Sequence, residues 1–123
     1  MRTLPKPEPL KRVKARKQRL ESRVVKVVRA LCVARDGDCR IANWEDNPDD
    51  WHDDDLDQWC DGASEWAHLG DKKRFKTRGQ APEFRHTSAG SLMLCTKHHQ
   101  DYDHGRMTIT GDDANLPLKF ERA

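Results

Sequence analysis

An α+β domain with one long N-terminal helix and a metal-braced remainder is what these 123 residues predict. Three observations carry that prediction. Apolar residues recur at helical spacing over one long segment, several short apolar runs with strand character follow it, and cysteines and histidines stand where the apolar content is too low for an ordinary core. Hydrophobic residues make up 35% and charged residues 36%, with a mean hydropathy of -1.02. A chain this short and polar forms one domain with a thin core, and small domains of that kind recruit disulfides or a structural metal. No apolar run opens the chain and no stretch approaches a membrane span, so a reducing, cytoplasmic setting without membrane contact is expected. There, four cysteines point to metal ligation or buried thiols before disulfides.

The elements follow in order. Pro5, Pro7 and Pro9 mark residues 1 to 9 as extended. From about Leu10 the pattern turns helical, and Leu20, Val24, Val27, Val28 and Leu31 fall at the three-and-four spacing of a buried face. Asp36-Gly37 ends this helix, because glycine accepts the left-handed conformation of a C-terminal cap. A short strand is expected at Cys39-Arg40-Ile41. Residues 43 to 62, rich in Asp, Asn, Trp and Pro, read as an irregular insertion. Glu65 to Leu69 can form a strand, residues 70 to 90 a basic loop, and Ser91 to Tyr102 an apolar entry into a helix that Gly105 ends. Met107-Thr108-Ile109 and Leu118-Lys119-Phe120 complete the chain as short strands. The organisation expected is a basic, flexible arm over 1–19 and a single domain over 20–123 with an acidic insertion at 43–59.

The net charge of +2 conceals separated blocks. Arg2, Lys6, Lys11, Arg12, Lys14, Arg16, Lys17 and Arg19 are opposed only by Glu8. Glu45, Asp46, Asp49, Asp50, Asp53, Asp54, Asp55 and Asp57 follow without an intervening Lys or Arg, and Lys72, Lys73, Arg74, Lys76 and Arg78 form a second basic run. Two basic segments suit a polyanion partner, for which DNA is the expectation. The acidic residues are read as solvated. Trp44, Trp51, Trp59 and Trp66 lie in or beside the insertion, and either pin it by burying area or stack on bases.

Cys95-Thr96-Lys97-His98-His99 is the strongest local signal. Cys and His three apart at a helix start can share one zinc, because a helical turn brings the side chains together. Cys39 and Cys60, which border the insertion, are the natural source of two further soft ligands; the alternative is that they are buried thiols. Cys32, inside the helical pattern, reads as a packed core thiol. His99 and Asp103 stand one turn apart and can both reach a divalent ion.

The strings ALCVARDGDCRI (Ala30 to Ile41), SEWAHL (Ser64 to Leu69) and LMLCTKHHQDYD (Leu92 to Asp103) together resemble the HNH (His-Asn-His) endonucleases, particularly the small bacterial and bacteriophage type. The resemblance spans about residues 28 to 110, and its last motif is the most specific. It implies a ββα-metal (His-Me finger) core holding one catalytic divalent cation (Mg²⁺, Mn²⁺ or Zn²⁺), with a zinc knuckle bracing it. By the same resemblance His68 is the general base, His99 the metal-binding histidine of the helix, and Cys39, Cys60, Cys95 and His98 the structural zinc ligands. The implied activity is hydrolysis of DNA phosphodiesters with low sequence specificity. A phage DNA-processing or packaging context, with other proteins of that process as partners in a bacterial host cytoplasm, goes with it.

Two positions depart from the family pattern. Ala67 stands where a metal ligand commonly precedes the base, leaving Glu65, His86 or Asp103 to supply it, although residues 65 and 68 face opposite sides of a regular strand. The asparagine that orients the base is absent near Gly90 and Ser91. His86 is the favoured catalytic stand-in, with a loop residue contacting phosphate or backbone as the alternative. Lys72, Lys73, Arg74, Lys76, Arg78 and Arg85 would border a cleavage site at His68 and bind DNA phosphates. These departures keep two rivals open. One is a catalytically weak, zinc-stabilised DNA-binding or packaging-accessory protein; the other is a zinc-stapled protein-interaction module using the acidic loop.

Overall fold

A computed structural model describes residues 9–69 and 86–123. Its first element is helix α1, Leu10–Asp36, of 27 residues. The Pro9 carbonyl receives the Arg12 and Val13 amides, so residues 10–19 of the basic arm form the first turns of the helix instead of a flexible extension. At the other end Gly37 has φ 70° and donates its N–H to the Val33 carbonyl. A Cβ there would also collide with the Asn43 side chain, so conformation and space both select glycine.

The buried face of α1 is only in part the one the apolar spacing suggests. Val28, Cys32 and Asp36 are buried, Val24 packs partly beside them, and Leu20, Val27 and Leu31 remain 46, 60 and 54% exposed. The helix carries two apolar stripes. Among the described residues the Val24-Val28-Cys32 stripe, spaced by four, is the one that meets a partner: Met93 and Trp66 complete that small cluster.

Cys39-Arg40-Ile41 is a turn rather than the expected strand. Its backbone groups diverge, with the Arg40 amide donating to the Met93 carbonyl and the Cys39 carbonyl accepting from Asn43, so no ladder can propagate. The insertion is more ordered than its composition suggests. It holds a short 3-10 helix, Trp44–Asp46, and strand β1, Trp51–His52. Asp50 is buried within it and pairs bidentately with the buried Arg40 at 2.8 and 2.9 Å. The same carboxylate receives the Leu118 amide at 2.8 Å, and the Arg40 guanidinium reaches the Ala114 and Leu116 carbonyls. Asp50 is thus a structural anion, not part of a solvated block. Trp44 pins the segment through its indole N–H on the Asp50 carbonyl, and Trp51 lies under the Lys119 ammonium. Trp59 is 82% exposed and buries little area against the described residues.

Strands β2, Ser64–His68, and β3, Ser91–Cys95, pair antiparallel, with Ser64 opposite Cys95 and His68 opposite Ser91. The expected apolar helix entry is therefore a strand. All five β3 residues are buried because both faces are covered: Leu92 and Leu94 enter the main core while Met93 faces α1. Helix α2, Thr96–Asp103, follows directly and packs on both strands. Strands β4, Met107–Thr110, and β5, Lys119–Arg122, are antiparallel, and β1 joins β5 in parallel, giving the order β1-β5-β4. Met107, Leu118 and Phe120 join Ile41, Leu56, Leu69, Leu92 and Leu94 in the main core. Among the described residues no helix is long and apolar enough to cross a membrane.

His52 gives this fold a pH dependence. Its ring stacks on Phe120 at 5.0 Å and meets the Trp44 edge at 4.4 Å, and both ring nitrogens are buried without a hydrogen-bond partner among the described residues. Burial, opposed by the Asp50 carboxylate and helped by the Arg40 cation, lowers its pKa below the ordinary 6.5. The neutral form is therefore favoured in the fold. The unfolded chain binds the proton first, so the His52 contribution is flat above about pH 6.5 and falls as the pH drops through it, by up to about 1.4 kcal/mol per unit. His52→Phe should flatten the loss of melting temperature between about pH 6.5 and 5; an unchanged profile would remove His52 as its source.

Candidate metal centre and histidine cluster

Three separate stretches of chain bring thiols to one imidazole. Cys39 comes from the turn after α1, Cys60 from the end of the insertion, and Cys95 from the junction of β3 and α2. Their Sγ atoms lie 3.5, 3.7 and 3.1 Å from His98 Nδ1. The four ligand atoms all fall within 4.8 Å of one another, and all four cysteines of the chain are free thiols. A tetrahedral zinc with bonds of about 2.3 Å to sulfur and 2.0 Å to nitrogen sets its ligand atoms roughly 3.5 to 3.8 Å apart, so these residues fit it closely.

Local structure prepares each ligand. Cys95 caps α2, its sulfur receiving the His98 amide at 3.4 Å. His98 is fully buried, and its Nε2 donates to the Asp57 carbonyl at 2.7 Å. That bond fixes the tautomer and leaves the Nδ1 lone pair directed at the three sulfurs. Lys97 holds the approaching chain through the Trp59 carbonyl at 2.9 Å and the Asp57 carboxylate at 2.6 Å. Gly62, at φ 85°, lets residues 60–62 pass so close to Thr96 that a Cβ would overlap its side chain. Desolvation, followed by the neighbouring Cys39 and Cys95 groups, pushes the Cys60 thiol well above its ordinary pKa. A bound cation would favour its thiolate.

His99 points away from this group. Its Nδ1 lies 2.7 Å from Glu65 Oε1 on β2, and its Nε2 lies 3.4 Å from Asp103 Oδ2 one turn along α2. Glu65 also accepts the Thr96 hydroxyl at 2.7 Å; that bond first, and His99 second, hold its carboxyl below the usual range. The carboxylate–imidazole contact orients the ring and leaves Nε2 beside Asp103 as a nitrogen–oxygen donor pair suited to a divalent ion. Among the described residues, Cys39, Cys60, Cys95 and His98 are the one group of three or more such ligands.

His68, on the opposite face of β2 from Glu65, belongs to a second cluster. Its Nε2 lies 3.1 Å from His86 Nδ1, and His86 Nε2 lies 3.1 Å from Glu21 Oε1 on α1. The Trp66 ring backs both histidines, with centroids 4.4 and 5.4 Å away. Loss of hydration in this aromatic corner, then the charges of His86 and His99, lower the pKa of His68 below 6.5. Although solvent reaches it, these effects favour the neutral imidazole.

The residues expected at the site thus fall into three sets: Cys39, Cys60, Cys95 and His98; His99 with Asp103 and Glu65; and His68 with His86. Ala67 is buried in the main core, so no ligand replaces it at that position. Lys72, Lys73, Arg74, Lys76, Arg78 and Arg85 lie outside the described residues. The sequence reading missed Glu21. Its one signal is an acid interrupting a basic helical segment, and what it meets is set 65 residues away. Compared with known families, characterised proteins and solved structures, the chain matches none.

Proposed function

We propose that this chain is a metal-dependent nuclease of the HNH type, hydrolysing DNA phosphodiesters with low sequence specificity. The observation that carries the reading is the order strand–strand–helix: β2 ends on His68, β3 returns antiparallel, and α2 places His99 beside a carboxylate while Cys95 and His98 join the thiol group. The roles follow from chemistry. The neutral His68 accepts a proton from the water that attacks phosphorus, and the 3′ oxygen departs. His99 Nε2 and Asp103 would hold the divalent cation, which, when bound, polarises the phosphate and stabilises the leaving oxyanion. Glu65 orients the His99 ring. The Cys3His group holds the zinc that keeps α2 against the turn after α1. Metal-dependent nicking of supercoiled plasmid tests the reading, with EDTA-treated protein as the blank.

A second reading has a specific observation in its favour. Among the described residues the proposed catalytic ion would have two protein ligands, His99 and Asp103, and the buried Ala67 adds none. A zinc-stabilised DNA-binding accessory protein would bind DNA with the same basic segments and never cut it.

Under both readings the arm contributes affinity. Removing residues 1–19 should weaken DNA binding and reduce the slope of log K against log salt by about 0.9 for each phosphate that the arm neutralises. An unchanged slope in fluorescence anisotropy would place the arm away from DNA.

A further inference from the structure

We propose that Glu21 of α1 is a positioning residue that, through His86, fixes the tautomer of His68 and so selects Nδ1 as its basic nitrogen. One line of contacts connects the three side chains. An ionised carboxylate can only accept, so the 3.1 Å contact from Glu21 Oε1 requires the proton of His86 on Nε2. In a neutral imidazole protonated there, Nδ1 carries the lone pair. That atom lies 3.1 Å from His68 Nε2, which must donate to it. With its proton held on Nε2, His68 carries its lone pair on Nδ1.

Each link is anchored by a different element: Glu21 by α1, His68 by β2, and His86 by the segment leading into β3, where its side chain is 12% exposed. The Trp66 ring limits the tilt of both imidazoles. Free histidine in water populates both neutral tautomers. Here one is selected by a carboxylate of α1 that reaches His68 through His86. The kinetic part of this inference rests on the nuclease reading; the tautomer does not.

The experiment therefore has two independent readouts on the full zinc-loaded chain. The first is the ring nitrogen spectrum of ¹⁵N-histidine-labelled protein at pH 8. Wild type should show His68 and His86 both protonated on Nε2, and Glu21→Ala and Glu21→Gln should show averaged tautomers at both rings, with zinc content unchanged. The second is plasmid nicking, where both variants should lower kcat about 10- to 100-fold, the usual cost of removing the outer partner of an essential imidazole, with KM for DNA unchanged. A wild-type His68 protonated on Nδ1, or unchanged tautomers in both variants, overturns the proposal. Tautomers as expected in a protein that never nicks DNA would leave the relay standing and remove the nuclease reading. Tautomers as expected with full activity in both variants would overturn the positioning role.

Discussion

Removal of zinc, by chelation or by Cys95→Ser, is expected to abolish the cooperative melt. The Cys3His group joins the turn after α1, the end of the insertion and the β3–α2 junction, three regions that otherwise meet in one small core. Structural zinc in such sites binds with roughly 10 kcal/mol or more, and a small domain has only about 5 to 15 kcal/mol of total stability. Losing the ion therefore removes a quantity as large as the whole. Cys95 is the most damaging single position, because its sulfur also caps α2 and its backbone ends β3. Cys32→Ala is the matched control: that thiol contacts Ser91 inside the smaller cluster and takes no part in the group. Elemental analysis should return one zinc per chain for wild type and Cys32→Ala and none for Cys95→Ser. A zinc-free chain that melts cooperatively at the wild-type temperature would contradict the assignment.

His68→Ala is expected to lower metal-dependent DNA cleavage by about 10²- to 10⁴-fold, the usual cost of losing a general base, with zinc content and melting temperature little changed. The separation follows from position. His68 ends β2 with an exposed side chain whose partners are His86 and Trp66, apart from the four thiol-group ligands. His99→Ala should also lose activity, by a different route. It removes one of the two donors proposed for the divalent ion, so higher Mg²⁺ or Mn²⁺ should recover part of the rate. No concentration of metal should restore His68→Ala. Nicking measured over a metal titration for wild type and both variants distinguishes these roles. Near-wild-type cleavage by His68→Ala would transfer the base assignment to His86, and an inactive wild type would favour the accessory-protein reading.

What could be read from the sequence divides along the range of the interactions. Cys95 and His98 are neighbours on one helical turn, so their spacing declares their meeting. Cys39 and Cys60 could be paired with them because each borders the insertion and by the family resemblance, and their approach depends on the turn after Gly37 and the passage at Gly62. Strand alternation separated Glu65 from His68 correctly: the former meets Thr96 and His99, the latter His86. The buried face of α1 was misread in part because periodicity locates apolar stripes without saying which one meets β3. Glu21, Asp50 and Asp57 escaped notice for a related reason. Asp57 matters through a backbone carbonyl and Asp50 through a burial that nothing in a run of aspartates distinguishes.

The adjacency of His98 and His99 makes the two halves of α2 mechanically inseparable. Successive helical residues project about 100° apart. One therefore enters the thiol group while the next faces Glu65 and Asp103, and a roll of the helix axis turns both rings together. The size of the ion among the sulfurs is then a dial on the geometry at His99. A larger thiophilic ion such as Cd²⁺ would lengthen the bond to His98 by a fraction of an ångström and swing His99 against its carboxylates, so the nitrogen resonances of His99 become a gauge of an ion it never touches.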